Sequence, residues 1–285
     1  MSHPLETPEL GDDGKINWEL FWLYRRKRGV LQPRPHFTGD VFVDVPVIGE
    51  DSPSNVVVLQ HPCALRGGDS DLRPVLVTAK LVDREEVPLS GWLGNYDLLP
   101  LIVHEGDPHR AVAFDQLAMV KSSDLVLNKR VACMEIEGVS YLLQRWTNAN
   151  TRVVVPCWRF VQGIEEQFAE ADGLEAWCTQ RQQAGVKPAV AVREASDWLD
   201  RKSDDTGQPR RDLLKVPKNH KGLVRRMEVV AKERTAHDLE ERARIKAERN
   251  AQQESSPAPG AMKDEQSTDA LPTSSDAAHG GGDRA

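Results

Sequence analysis

The chain lacks most of the features that assign a protein quickly. It has no run of about 18 or more uncharged apolar residues, and its start, Met1 to Asp13, is polar and acidic instead of basic and then apolar. Neither a membrane span nor secretory export is expected, and the expected location is the cytoplasm with reduced thiols. Only four cysteines occur, Cys63, Cys133, Cys157 and Cys178, widely separated and without a C-x-x-C pair. That spacing suggests neither a disulfide framework nor a zinc ribbon. The patterns G-x-x-x-x-G-K-[ST], G-x-G-x-x-G and G-x-S-x-G are all absent, which removes a P-loop, the usual dinucleotide site and the hydrolase nucleophile elbow. His61, Cys63, His104 and His109 show no H-x-H or H-E-x-x-H spacing, so no metal and no cofactor is expected.

What is present is an uneven distribution of charge and pattern. The 285 residues are 39% hydrophobic and 28% charged, with 18 prolines and 20 glycines, which accommodates one sizeable domain plus appendages. The net charge of −7 divides into −9 over residues 1–200, +6 over 201–250 and −4 over 251–285. An acidic whole argues against coating of nucleic acid, whereas the +6 segment, with Arg225 and Arg226 in it, suits phosphate or an acidic partner.

Four segments follow from the pattern. Residues 1–37 read as an N-terminal helical segment: apolar Ile16, Trp18, Leu20, Phe21, Trp22 and Leu23 run into Arg25, Arg26, Lys27 and Arg28 before Gly29. Cations in a last turn complement the helix dipole and are also available to phosphate or a partner. Residues 38–185 read as a β-rich core with capping helices. Candidate strands are Asp40 to Ile48, Asn55 to His61, Pro74 to Val82, Asp97 to Val103, Arg110 to Phe114 and Leu127 to Glu135. Helices are expected over Val139 to Asn148 and Ile164 to Gln183. Residues 186–250 read as a charged helical extension, with a short helix from Pro188 to Asp200 and a long one from Asn219 to Asn250 whose Leu223, Val224, Met227 and Val230 suit a partner surface or a homodimer seam. Residues 251–285, rich in Ser, Ala, Pro and Gly, read as a disordered tail. The fold class expected is α+β, with a small, mostly antiparallel β-barrel at its centre.

Three patterns stand in a suggestive order: Gly39-Asp40-Val41-Phe42-Val43-Asp44 opening the first core strand, Val56-Val57-Val58-Leu59 in the second, and Val112-Ala113-Phe114-Asp115-Gln116-Leu117 near the end. Over residues 38–122 this resembles the PemK and MazF family of small SH3-like barrels. The resemblance implies an SH3-like barrel, metal-independent cleavage of single-stranded RNA, and a setting such as a toxin–antitoxin or phage-defence assembly. It also implies an arginine after the first strand and a Ser or Thr after a central strand. The loop Gly49 to Ser54 has no basic residue, so Arg66 and Arg73 of the next loop, with Thr78, stand as the corresponding candidates.

The most unusual local stretch is Gln60-His61-Pro62-Cys63, followed by Arg66. A cysteine at a strand end beside a histidine and an arginine suits a thiolate nucleophile. A packed structural cysteine after a strand-ending proline accounts for the same residues, and both readings stand at this point. The catalytic candidates are Cys63, His61, Arg73 and Thr78, and the binding candidates are Arg25, Arg26, Lys27, Arg28, Arg66, Arg225 and Arg226. The function expected is a binding module for RNA or a ribonucleoprotein. The alternatives are an RNA-cleaving or thiol-dependent enzyme centred on Cys63, and a protein adaptor acting through the last helix.

Overall fold

The computed structural model describes residues 4–25, 34–67, 72–85, 92, 97–101 and 109–255. Seven strands are present: β1 (Trp22–Arg25), β2 (Val41–Val45), β3 (Ser54–Val58), β4 (Val75–Asp83), β5 (Leu98–Leu101), β6 (Arg110–Lys121) and β7 (Arg130–Met134). Six helices accompany them among the described residues: α1 (Pro62–Leu65), α2 (Ile136–Thr151), α3 (Cys157–Gln183), α4 (Pro188–Asp200), α5 (Arg210–Leu213) and α6 (His220–Ser255). The class is α+β, and the sheet order is β1-β7-β2-β3-β4-β6-β5 with every ladder antiparallel. Among the described residues its two edges, β1 and β5, are not joined. The sheet is therefore open, where the sequence suggested a small barrel without fixing its closure.

β-branched residues dominate the central strands and bury both of their faces. Val41, Val57, Ala79, Val112 and Ala132 belong to one core, together with Val139, Leu142 and Leu143 of α2. Phe42, Val56, Val58, Leu76, Ala118 and Val120 form a second core with Leu65 of α1 and Leu125. Two kinks shape this second core. β2 breaks register between Phe42 and Val45, with Asp44 at a φ of 51°, and such a bulge bends a strand. The chain beyond the bend returns to β6, where Ile48 N–H donates to the Met119 carbonyl at 2.9 Å. β6 breaks register against β4 between Ala79 and Lys80, leaving Phe114, Asp115 and Gln116 outside the ladder. Asp115-Gln116 thus lies in a bulge inside a strand that runs on to Lys121, past the end at Phe114 that the sequence suggested.

The N-terminal helix is also corrected. Trp18–Phe21 is one 3-10 turn, and Trp22–Arg25 is a strand paired to β7. The apolar residues here surround a helix on all sides, so no single helical face could bury them. A turn followed by an edge strand puts Phe21 and Trp22 into the first core. Gly39 precedes β2 at a φ of 83°, and a Cβ there would lie 2.8 Å from that of Met134; a side chain is excluded on both grounds.

A buried charge cluster fixes the entry to β2. Arg34 bonds Asp172 at 2.6 Å and Glu175 at 2.9 Å, both on α3. Burial opposes the Arg34 charge, but the two carboxylates outweigh it and raise its pKa. Arg130 pairs with Asp40 at 3.0 Å with both side chains buried, and Arg130 also donates to the Arg34 carbonyl at 2.8 Å. Asp40 of the Gly-Asp step therefore anchors the fold.

The chain divides into two compact units, residues 1–239 and 240–285. In the first, α3, α4 and α6 share a third core of Leu174, Trp177, Cys178, Ala191, Ala195, Trp198, Leu199, Leu223, Met227 and Ala231. The expected extension is thus an integral part of the folded body as far as α6 belongs to it, and Leu223, Met227 and Ala231 are covered from within the chain. Asp238 of α6 pairs with Arg181 of α3 at 2.7 Å. The second unit is described to Ser255, a helical segment with an Arg244–Glu248 pair at 3.9 Å. The helix runs to Ser255, into the start of the segment expected to be disordered from residue 251, and residues 256–285 lie outside the described residues. No helix among the described residues is long and apolar enough to cross a membrane.

Candidate functional site

The chain leaving β3 is held by three polar contacts. Thr38 donates its hydroxyl to the Gln60 carbonyl, the Gln60 amide donates to the Ala64 carbonyl at 2.6 Å, and the Gln60 side-chain oxygen accepts Val77 N–H of β4 at 3.3 Å. Pro62 opens α1, a position where its missing N–H costs nothing. His61 is the N-cap, and its Nδ1 accepts Cys63 N–H at 3.4 Å. Cys63 Sγ lies 2.9 Å from the same nitrogen. A nitrogen accepting a backbone N–H carries no proton, so Nε2 bears the hydrogen and the thiol donates to Nδ1. Burial lowers the His61 pKa, which keeps the imidazole neutral near pH 7. The pair is a thiol facing a base, the arrangement in which the sulfur loses its proton as it attacks.

Cys63 is the one exposed thiol of the four. Burial raises the Cys157 and Cys178 pKa values to about 12 and lifts that of Cys133 well above the usual thiol range. Those three are packing residues. Arg73 reaches the end of α1 by its backbone, whose N–H donates to the Leu65 carbonyl at 3.0 Å, and its side chain is exposed. Arg66 bridges to Leu72 and is half-buried. Thr78 leaves the candidate set: it is fully buried, and its hydroxyl donates to the Ala118 carbonyl at 2.9 Å across the β4–β6 ladder. The alternation that puts Thr78 on the central strand also turns it inward, because both faces of this sheet are covered. Thus the fold brings His61 and Cys63 together, with Arg66 and Arg73 at the base of the adjoining loop.

The basic candidates divide in the same way. Arg25 ends β1 opposite Ala132, and Arg26, Lys27 and Arg28 lie outside the described residues. Within the +6 segment several cations serve the fold. Arg211 pairs with Glu170 and Asp200, Lys215 with Asp212, and Arg210 stacks on Trp198 at 4.5 Å. Lys218, Lys221, Arg225 and Arg226 are exposed, and among the described residues they form no ion pair. Lys218 sits in the 3-10 turn Pro217–Asn219, and the other three lie in the first two turns of α6. Among the described residues no group of three His, Cys, Asp or Glu side chains is placed to hold a metal, and His104 lies outside them.

Trp158 is not among the site residues expected from the sequence. Four of the seven tryptophans, Trp22, Trp92, Trp177 and Trp198, are buried, whereas Trp158 is 54% exposed in the first turn of α3. Its neighbour Arg159 holds a guanidinium 5.0 Å from the centre of its ring. No sequence signal separated it from the packed tryptophans, since the inward face of a helix is known only once its partners are.

No protein-family model matches this chain, and no curated protein matches its sequence.

Proposed function

We propose that the chain is a binding module for single-stranded RNA, built on an SH3-like small barrel and serving an assembly of the toxin–antitoxin or phage-defence kind. The observation that carries RNA binding is the set of exposed cations Lys218, Lys221, Arg225 and Arg226. They work against the helix that bears them. The N-terminal end of a helix favours acidic side chains, α6 has none in its first turn, and like charges at i,i+4, such as Lys221 and Arg225, destabilise a helix by about 0.2–0.5 kcal/mol. Residues that cost the fold stability and find no carboxylate partner among the described residues suit an external polyanion. The barrel reading is supported by the bend at Asp44, by the Ile48–Met119 hydrogen bond that brings the chain after β2 back to β6, and by the core enclosed between them.

The 2.9 Å contact between Cys63 and His61 favours a second reading, a thiol-dependent or RNA-cleaving enzyme. Electrophoresis of purified protein with single-stranded RNA, scoring both retardation and cleavage, separates the two. Retardation lost on reversing the four cations to Glu supports the binding module. Cleavage lost in Cys63→Ala and His61→Ala promotes the enzyme. RNA that is neither retarded nor cut overturns both and leaves a protein partner.

A further inference from the structure

We infer that Trp158, with Arg159 against its ring, is a stacking platform for an unpaired base of RNA, a subsite that rests on the RNA reading above. A tryptophan on the surface forfeits the burial that normally retains it in a fold. Its first turn is held with unusual completeness. Glu6 accepts Cys157 N–H at 2.8 Å, and buried Gln144 accepts Glu6 N–H at 2.9 Å while donating to the Val155 carbonyl at 2.9 Å. Arg145 donates to the Glu6 carbonyl at 3.3 Å, and Tyr141 donates to that of Thr7 at 3.1 Å. These bonds fix the backbone on both sides of Pro156, so the indole is presented on a rigid turn and little ordering remains to be done when a ligand arrives.

The surroundings select a nucleic acid over an apolar protein surface. Arg159 is exposed and forms no ion pair among the described residues. Arg152, at the end of α2, meets Asp97 only at 3.7 Å, with both side chains more than half in solvent; such a pair is weak and yields readily to phosphate. Arg159 lies against the aromatic face, and a cation with a ring is the combination that holds a single strand by base stacking and backbone charge together. Val153, 56% exposed, adds apolar surface beside the turn for a ribose or base edge.

The test is fluorescence polarisation of a labelled single-stranded RNA of about 15 nucleotides with full-length protein, comparing wild type, Trp158→Ala, Trp158→Phe and the fourfold charge reversal on Lys218, Lys221, Arg225 and Arg226. Trp158→Ala should weaken binding roughly 5- to 100-fold, the range that base–aromatic stacking spans. Trp158→Phe should restore most of that loss, and the dependence of affinity on salt should stay as in wild type, because stacking releases no counterions. Wild-type affinity in Trp158→Ala, with binding lost in the charge reversal, would overturn the platform and leave the RNA reading intact. Wild-type protein that binds no RNA would overturn both.

Discussion

Met227 separates two accounts of α6. If the helix belongs to the folded body, Met227 is core; if it is a seam between two copies, Met227 is interface. It is fully buried within the chain, and its side chain lies against Gly173 of α3 so closely that a Cβ at that glycine would overlap the Met227 sulfur. Truncation to alanine removes three heavy atoms' worth of packing at a site pinned by a helix crossing, where collapse of the cavity is limited. The cost expected is about 3 kcal/mol, within the ~2–5 kcal/mol range for such truncations. For a body of this size each kcal/mol shifts the midpoint by about 2–4 °C, so Met227→Ala should melt about 6–12 °C lower. Circular dichroism melts, with light scattering over a range of concentrations, read the two quantities separately. Met227→Asp should not fold, since it buries an unpaired carboxylate in an apolar cluster. A Met227→Ala protein that melts as wild type while its mass halves would refute the packing argument and restore the seam.

Native protein should consume one equivalent of iodoacetamide at Cys63 near neutral pH, with Cys133, Cys157 and Cys178 reacting only after denaturation; mass spectrometry of the labelled peptides reads this. His61→Ala should slow the Cys63 reaction if Nδ1 takes its proton, and an unchanged rate would reduce His61 to a helix cap. The His36 pKa is lowered, chiefly by burial, and its ring stacks on Phe42 while Nε2 donates to the Leu125 carbonyl at 2.6 Å. The unfolded chain therefore takes up a proton at His36 near pH 6.5 while the folded chain resists it until lower pH. Stability should fall as pH drops through 6.5, by at most about 1.4 kcal/mol per pH unit for this one group, and the loss should level off below the folded pKa. Urea titrations of wild type and His36→Gln between pH 5 and 7 should show a shallower fall in the variant, and parallel curves would remove His36 as the cause.

Much of the fold was legible because its periodicities are strong. Strands and helices such as β3, β4, α2 and α4 lie within a few residues of where alternation and 3.6-residue spacing put them. The misses have physical causes. Trp22–Arg25 is a strand because β7 has a free edge to offer, a tertiary fact that local pattern does not contain. β6 continues past Phe114 because a bulge absorbs Asp115 and Gln116, and a polar pair inside a strand reads locally as its end. Closure of the sheet depends on pairing between distant strands, which short patterns leave open. In the site, proximity in sequence was enough to pair His61 with Cys63. Thr78 was misplaced because the sequence does not say that both faces of its strand are covered. Arg225 and Arg226 were visible as charges, but that no carboxylate among the described residues pairs with them is known only from the fold.

The most direct test of RNA binding through α6 is the slope of log affinity against log salt concentration for a short single-stranded RNA. Four cations neutralising four phosphates predict a wild-type slope steeper by about 3 than that of the protein with all four reversed, from ~0.7 counterions released per contact. A wild-type slope that the reversal leaves unchanged would contradict the assignment of these residues to the ligand.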